Sequence, residues 1–526
     1  MIKGFSNLLT SKKRIAQDDF FVKQISSIFH GFLENFCSSL KILVLGPEIA
    51  DMTIKEIFEK TKKLLKKHNQ GHLLAFWEQL NAAQRWNLLA QIERLDFSGI
   101  DDWVANYIKK PTSAPIPADF APAWFYSLNP VDPEQKRKYV QARELGKELI
   151  STGKVAAFVV AGGQGTRLGF AGPKGNFPIS PVKNKTLFQI FAEIIAAVSK
   201  KYQTACPWYI MTSPLNHTET REIFRSNGYY GLDEKDIFIF QQQTLPNFSF
   251  DGKILLADKA NIACSPDGHG GSLKALYQSG ATEDMKRRGV EFVSYWQVDN
   301  PLVNIFDSLF IGLHALDEAE MSSKALIKTG PKERLGNFCL VDGKVTVIEY
   351  SDFPDVLAEK RNPDGSLVFE LGSIAIHIIN RAFVERLNAG GFALPLHRAI
   401  KRIPHIDQEG KFAKPDEPNG IKLESFVFDA LPLASKSIIL ETLRSEEFAP
   451  VKNVTGIDSA ESAREMIVAR GAGWLESAGI AIPRKPDGSV DCLIEIAPSF
   501  AVEKDDIKTK LSQVPKIKPM DRLYLA

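Results

Sequence analysis

The chain has 526 residues, 44% hydrophobic and 24% charged, the balance of a soluble globular protein too large for one compact core. Lys plus Arg number 65 against 63 for Asp plus Glu, a net charge of +2, which argues against a dedicated nucleic-acid or membrane-surface binder and requires any anion site to be built locally. Five cysteines (Cys37, Cys206, Cys264, Cys339 and Cys492) lie far apart with no CxxC pair, which speaks against a disulfide scaffold or zinc site and for reduced thiols in the cytoplasm.

At the N-terminus Lys12, Lys13 and Arg14 are followed by Gln17, Asp18 and Asp19, where a signal peptide needs an apolar run; no stretch reaches the length of a membrane span. Residues 1–51 read as an extension without an assigned role, its Phe-, Ile- and Leu-rich stretch interrupted by Lys23, His30, Glu34 and Lys41. From Met52 a helical pattern starts, with Ile54, Ile57, Phe58, Leu64 and Leu65 among Lys and Glu. It continues through His72–Leu80 and Ala82–Leu95 and ends in a Pro-rich link, Pro111–Pro122, so that 52–130 forms a helical N-terminal region. From Val155 strands and helices alternate: strands at Val155–Ala161, Trp208–Thr212, Ile237–Gln241 and Phe292–Val298, helices at Thr186–Tyr202 and His217–Arg225. That alternation predicts an α/β fold with a mixed, mainly parallel sheet, and ligands bind such sheets beyond the carboxyl ends of their strands. After Pro450 the pattern is less regular, with a short strand near Cys492–Ile496; residues 451–526 are expected to form a small C-terminal domain, ending in a tail over Pro515–Ala526.

The most informative stretch leaves the first of these strands: Ala161-Gly162-Gly163-Gln164-Gly165-Thr166-Arg167-Leu168-Gly169, then Pro173-Lys174-Gly175. Gly162, Gly163 and Gly165 carry no side chain, so backbone N–H groups can approach phosphate oxygens, and Arg167 and Lys174 add two cations. The string is a cradle for a triphosphate. It is neither a P-loop, since Gly175 follows Lys174, nor a dinucleotide fingerprint, since Leu168 falls where the third glycine belongs.

GGxGTRLG followed by PKG resembles the signature of the UDP-sugar pyrophosphorylases, in particular the UDP-N-acetylhexosamine branch. The resemblance extends over Phe240-Gln241-Gln242, Pro266-Asp267-Gly268, Val298-Asp299-Asn300, Ile348-Glu349-Tyr350-Ser351, Pro418-Asn419-Gly420-Ile421-Lys422 and Phe448-Ala449-Pro450-Val451-Lys452-Asn453, covering roughly residues 52–526. It implies a Rossmann-like, GT-A-like nucleotidyltransferase with its catalytic domain at 131–450. The implied reaction is attack by a sugar 1-phosphate on the α-phosphorus of UTP. By the same resemblance Arg167 and Lys174 act on the UTP phosphates, and Ala161, Gly162, Gly163, Gly165, Thr166, Gln242 and Gly268 bind the nucleotide. His269, Asp299, Gly336, Glu349, Ser373, Lys422 and Lys452 attend the sugar phosphate. Asp299 is the expected ligand of Mg²⁺ or another divalent cation, or of a ribose or a phosphate-linked water. On local sequence alone Asp299 reads equally well as a cap, Glu349 as an outward strand residue, and Lys422 and Lys452 as solvated charges.

Two residues depart from the branch. His269 stands where it usually has Asn, and Ser373-Ile374-Ala375 where it usually has Asn-Ile-Ala. Both positions are associated with the sugar and its N-acetyl group, so the expected sugar, N-acetylglucosamine 1-phosphate, has glucose 1-phosphate or a broad range of sugars as its alternative. A non-catalytic UDP-sugar sensor is the further alternative; the retention of both Arg167 and Lys174 argues against it. The pattern assigns no oligomeric state.

Overall fold

The computed structural model describes residues 47–110 and 119–526, with side chains from Ile54 onward. Most of the expected N-terminal extension and residues 111–118 of the Pro-rich link lie outside the described residues. The chain forms two compact units. The smaller comprises residues 47–110, 246–264 and 400–421; the larger holds the rest.

In the smaller unit the helical periodicity appears as helices Pro47–Lys67, Ala82–Glu93 and Phe97–Trp103. The second begins in a capping box, Asn81 accepting from the Gln84 N–H at 3.0 Å and Gln84 accepting from the Asn81 N–H at 3.0 Å. The stretch expected to be helical at His72–Leu80 instead makes two 3₁₀ turns, Gly71–Leu74 and Trp77–Gln79. Leu73, Phe76, Trp77 and Leu80 are all buried, so they satisfy the core from successive turns rather than from one helical face.

A ten-stranded mixed sheet runs through the larger unit. Its strands are β1 (Ala121–Pro122), β2 (Val155–Val160), β3 (Trp208–Thr212), β4 (Ile237–Gln241), β5 (Phe292–Gln297), β6 (Met321–Ile327), β7 (Gly336–Val341), β8 (Lys344–Ile348), β9 (Leu371–Asn380) and β10 (Ser437–Glu441). The order β5-β2-β3-β4 is parallel throughout. Beyond it β9 runs antiparallel to β5, and β7 and β8 continue antiparallel, while β6 pairs parallel with β10. The α/β architecture thus follows the expectation.

The parallel strands read as unbroken apolar runs because both faces of the sheet are covered. On β2, Ala157 and Val159 pack into one core while Ala156 and Phe158 pack into the other; Trp208 and Ile210 of β3 face the first, Tyr209 and Met211 the second. Helices Pro133–Ser151 and Ser308–Leu316 pack backbone to backbone: a Cβ on Gly146 would lie 1.8 Å from the Ser308 carbonyl oxygen, and one on Gly312 1.7 Å from that of Ala142.

The C-terminal residues correct the sequence reading. Pro515–Ala526 is not a tail, since Arg522–Leu525 pairs parallel with Leu493–Ile496 and Ile517 and Leu525 are buried. A four-residue strand whose partner lies far upstream leaves no local signal. Helix Ala460–Ser477 was also unmarked by periodicity, its apolar side chains being spread around the axis; it is capped by Ser459 and Ser462. Among the described residues no helix is long and apolar enough to cross a membrane.

Candidate active site

β2 ends at Val160 and the Gly-rich loop doubles back on itself. The Gly165 N–H donates to the Gly172 carbonyl at 3.0 Å, the Lys174 N–H to the Gly163 carbonyl at 3.1 Å, and Gly169 and Gly172 take positive φ. A residue not singled out by sequence, Asn216, holds the loop from beneath: its Nδ2 donates to the carbonyls of Ala161 at 2.9 Å and Gly163 at 3.2 Å, while its Oδ1 accepts from the Ser213 N–H at 2.8 Å. An Asn preceding a helix reads as an N-cap, yet Asn216 makes no side-chain cap bond to helix His217–Ser226. With those carbonyls engaged, the Gly162 and Gly163 N–H groups have no backbone acceptor among the described residues, so the loop keeps donors to offer.

Gln242 follows β4 and sits over this loop. Its Oε1 lies 2.5 Å from where a Cβ on Gly162 would be, so only glycine fits without a shift. Its Nε2 donates to Asp267 Oδ1 at 3.0 Å, and burial pushes the Asp267 carboxyl up to about 6, Gln242 partly opposing this. Gly268 has φ +86°, and a Cβ there would meet the Ser425 carbonyl at 2.3 Å. The expected nucleotide residues Ala161, Gly162, Gly163, Gln242 and Gly268 are therefore neighbours through Asn216 and Gln242, while Thr166 and Arg167 stand exposed on the 3₁₀ turn Thr166–Leu168.

β2 and β5 are adjacent parallel strands whose successors leave in opposite directions, the switch point where such sheets bind ligands. The loop leaves β2 and Asp299 lies just beyond β5, so the two carboxyl ends bring Lys174 Nζ to 3.6 Å from Asp299 Oδ2, both side chains largely withdrawn from solvent. Beside them opens a cavity of about 230 Å³, which His269, Asp299, Gly336, Glu349, Ser373 and Lys452 help to line. Glu349 directly follows β8, and burial raises its carboxyl above the ordinary value. Gly336 of β7 pairs with Ser373 of β9, and a Cβ on Gly336 would lie 2.5 Å from Val347 Cγ1. Next to Ser373, β9 carries a bulge in which Ala375 takes φ +55°. Lys422, in strand Gly420–Glu424, is not among the residues lining this cavity.

The protonation of His269 follows from its surroundings. Its Nδ1 accepts from the Val427 N–H at 3.1 Å, and its ring stacks on Phe426 at 5.2 Å. Burial lowers its pKa to about 4, so near pH 7 the ring is neutral, and with Nδ1 an acceptor the proton sits on Nε2. His397 also stacks on Phe426, at 4.4 Å; it is bonded to Asp429 at 2.8 Å and shifted up by that carboxylate against the opposing effect of burial. Sequence reasoning found none of Phe426, His397 or Arg334, aromatic and basic residues without a local motif, and it quoted Asn300 only as part of Val298-Asp299-Asn300, with no role of its own.

Among the described residues no cluster of three or more His, Cys, Asp or Glu could hold a metal ion by itself. One buried carboxylate, Asp299, next to the Gly-rich loop still fits Mg²⁺, which takes few protein ligands and fills the remainder with other oxygen ligands such as water. A larger cavity of about 680 Å³ elsewhere in the unit contains none of the expected site residues, and some of its charges pair with each other, as in Lys185–Glu193 and Lys201–Glu503.

Residues 125–526 match the UTP–glucose-1-phosphate uridylyltransferase family. The chain is similar to human UDP-N-acetylhexosamine pyrophosphorylase-like protein 1, 36% identical over 478 residues, 85% of this chain and 93% of that protein. It is 37% identical to the UDP-N-acetylglucosamine pyrophosphorylase of Saccharomyces cerevisiae over 442 residues, 80% of this chain and 91% of the yeast protein. Among solved structures, the uridine diphosphate N-acetylglucosamine pyrophosphorylase of Trypanosoma brucei in complex with an inhibitor superposes with a TM-score of 0.75 at 25% identity, covering 91% of this chain and 98% of that one.

Proposed function

The chain belongs to the UTP–glucose-1-phosphate uridylyltransferase family, and from that premise we propose that it is a UTP-dependent uridylyltransferase whose sugar substrate is N-acetylglucosamine 1-phosphate. An oxygen of the sugar phosphate attacks the α-phosphorus of UTP; the bond from that phosphorus to the oxygen bridging to the β-phosphate breaks, and pyrophosphate leaves with the electron pair. The nucleophile is largely dianionic at neutral pH, its second pKa being about 6, so no general base is required. What remains for the protein is to hold two polyanions in line and to stabilise the charge gathering on the leaving group.

The observation that supports this most directly is Lys174 beside Asp299 at the switch point, between the glycine loop and the cavity. In our reading Lys174 and Arg167 bear on the UTP phosphates, the N–H groups of Gly162 and Gly163 donate to phosphate oxygens, and Gln242 and Gly268 contact the uridine. Lys452 takes the sugar phosphate and Glu349 accepts from sugar hydroxyls. Asp299 would hold a divalent cation such as Mg²⁺, which when bound neutralises phosphate charge. We assign the enzyme to the cytoplasm, where the buried thiols of Cys206, Cys339 and Cys492 stay reduced.

For the sugar, the Nε2–H of neutral His269 supplies a donor where an asparagine amide would otherwise stand, Ser373 adds a hydroxyl, and Gly336 lines the same cavity. A donor that would go unpaired without its acetamido acceptor discriminates against plain hexoses. Pyrophosphate release with UTP and Mg²⁺ tests this, with the 1-phosphates of N-acetylglucosamine, N-acetylgalactosamine, glucose and galactose as alternatives. An acetamido sugar is expected to exceed its plain counterpart in kcat/KM by about 100-fold. A preference for glucose 1-phosphate would overturn the sugar assignment and leave the reaction standing. Because His269 titrates near 4, that preference is expected to be flat from pH 6 to 8.

The nucleotide half has its own test. Gly162→Ala puts a methyl group against Gln242 and is expected to raise the KM for UTP about tenfold, equivalent to about 1.4 kcal/mol, with the KM for the sugar 1-phosphate nearly unchanged. An unaltered KM for UTP would remove Gln242 and Gly162 from the nucleotide site.

A further inference from the structure

Lys452 belongs to neither a helix nor a strand, and its long side chain has four rotatable bonds. Something must fix its backbone if its ammonium is to meet a phosphate at a set distance. The segment before it is stitched to the end of β5. Asn300 Nδ2 donates to the Glu447 carbonyl at 2.6 Å, Asn300 Oδ1 accepts from the Ala449 N–H at 3.0 Å, and the Asp299 carbonyl accepts from the Val451 N–H at 2.9 Å. Asn300 is buried, so these bonds have no water to replace them. Glu447 is anchored in turn, its carboxylate accepting from Thr442 Oγ1 at 2.9 Å and contacting Lys324.

We propose that Asn300 is a positioning residue for sugar 1-phosphate binding: it sets Lys452 relative to Asp299 and Lys174. This rests on the assignment of Lys452 to the sugar phosphate. The logic is one of adjacency. Asp299 faces Lys174 on the nucleotide side, and the next residue clamps the segment that carries the cation of the acceptor side, so one strand end sets the distance between the two reacting phosphates. The task needs a donor and an acceptor on one short planar group. A carboxylate would turn its second oxygen against the Glu447 carbonyl, and a serine would not span both.

A double-mutant cycle tests the proposal, with the KM for N-acetylglucosamine 1-phosphate and for UTP measured in Asn300→Ala, Lys452→Gln and the double variant. Asn300→Ala is expected to raise the KM for the sugar phosphate about 10- to 100-fold, the scale of a misplaced contact, and to change that for UTP by less than about twofold. In the Lys452→Gln background the same substitution should change the sugar-phosphate KM by no more than about twofold, because the residue it acts through is gone. Equal effects in both backgrounds would overturn the proposal and make Asn300 merely structural. An unchanged KM in Lys452→Gln alone would overturn the Lys452 assignment and the proposal with it, a pattern distinct from additivity. Asn300→Asp keeps the volume and the acceptor for Ala449 while losing the donor to Glu447; it takes the place of the alanine variant if that does not fold, and the same dependence on Lys452 is required of it.

Discussion

Lys174→Met is expected to lower kcat for pyrophosphate release by at least about 1,000-fold while leaving the folded structure in place, as read by circular dichroism and thermal melting. Removing a single preorganised donor aimed at developing negative charge typically costs about 100- to 1,000-fold. Lys174 should lie at or beyond the upper end, because it is a full charge, shielded from solvent, and the counter-charge of Asp299 at 3.6 Å. Methionine keeps most of the side-chain length and packing, so the loop, closed by the Lys174 N–H to Gly163 carbonyl bond, is not disturbed. The loss should appear in kcat, since the charge on the leaving pyrophosphate is largest in the transition state, whereas Lys452→Gln should act mainly on the KM for the sugar phosphate. Turnover within tenfold of the wild type in Lys174→Met would remove Lys174 from the phosphate chemistry.

The Gly-rich loop was legible because its chemistry is local: glycines, an arginine and a lysine within fourteen consecutive residues, at the end of an unbroken apolar strand. The parallel strands were legible for the same reason, a strand buried on both faces being a plain run of Val, Ala, Phe, Ile and Trp. The antiparallel half of the sheet was not. β9 carries a bulge at Ala375 and alternates between neighbours, so its pattern matches neither a period of two nor a simple run. The residues that hold the site together were equally silent. Asn216 and Asn300 act on carbonyls brought near by β-strand order, and His269 acquires its tautomer from a backbone N–H at Val427, far along the chain. Each is defined by a partner that only the fold supplies.

The buried cation behind the site gives the largest stability prediction. Lys324 on β6 has no exposed side-chain surface; its Nζ donates to Asp307 Oδ2 at 2.7 Å and contacts Glu447. Burial alone would raise the Asp307 carboxyl, but the Lys324 charge outweighs it and holds Asp307 below its ordinary value; Glu447, where burial dominates, lies above it. One ammonium thus serves two carboxyls in a water-poor place. Lys324→Met would leave both without their ion-pair partner and is expected to cost about 3–5 kcal/mol, read as a lower urea midpoint by tryptophan fluorescence. The cost should not come from lost packing, since methionine fills nearly the same volume. Adding Glu447→Gln removes one of the two orphaned carboxyls and is therefore expected to recover part of the loss, a coupling that independent sites would not show. If Lys324→Met melts like the wild type, or if the second substitution only adds damage, the triad does not hold the segment leading to Lys452, and the anchoring of that segment falls to Asn300 and the backbone bond from the Val451 N–H to the Asp299 carbonyl.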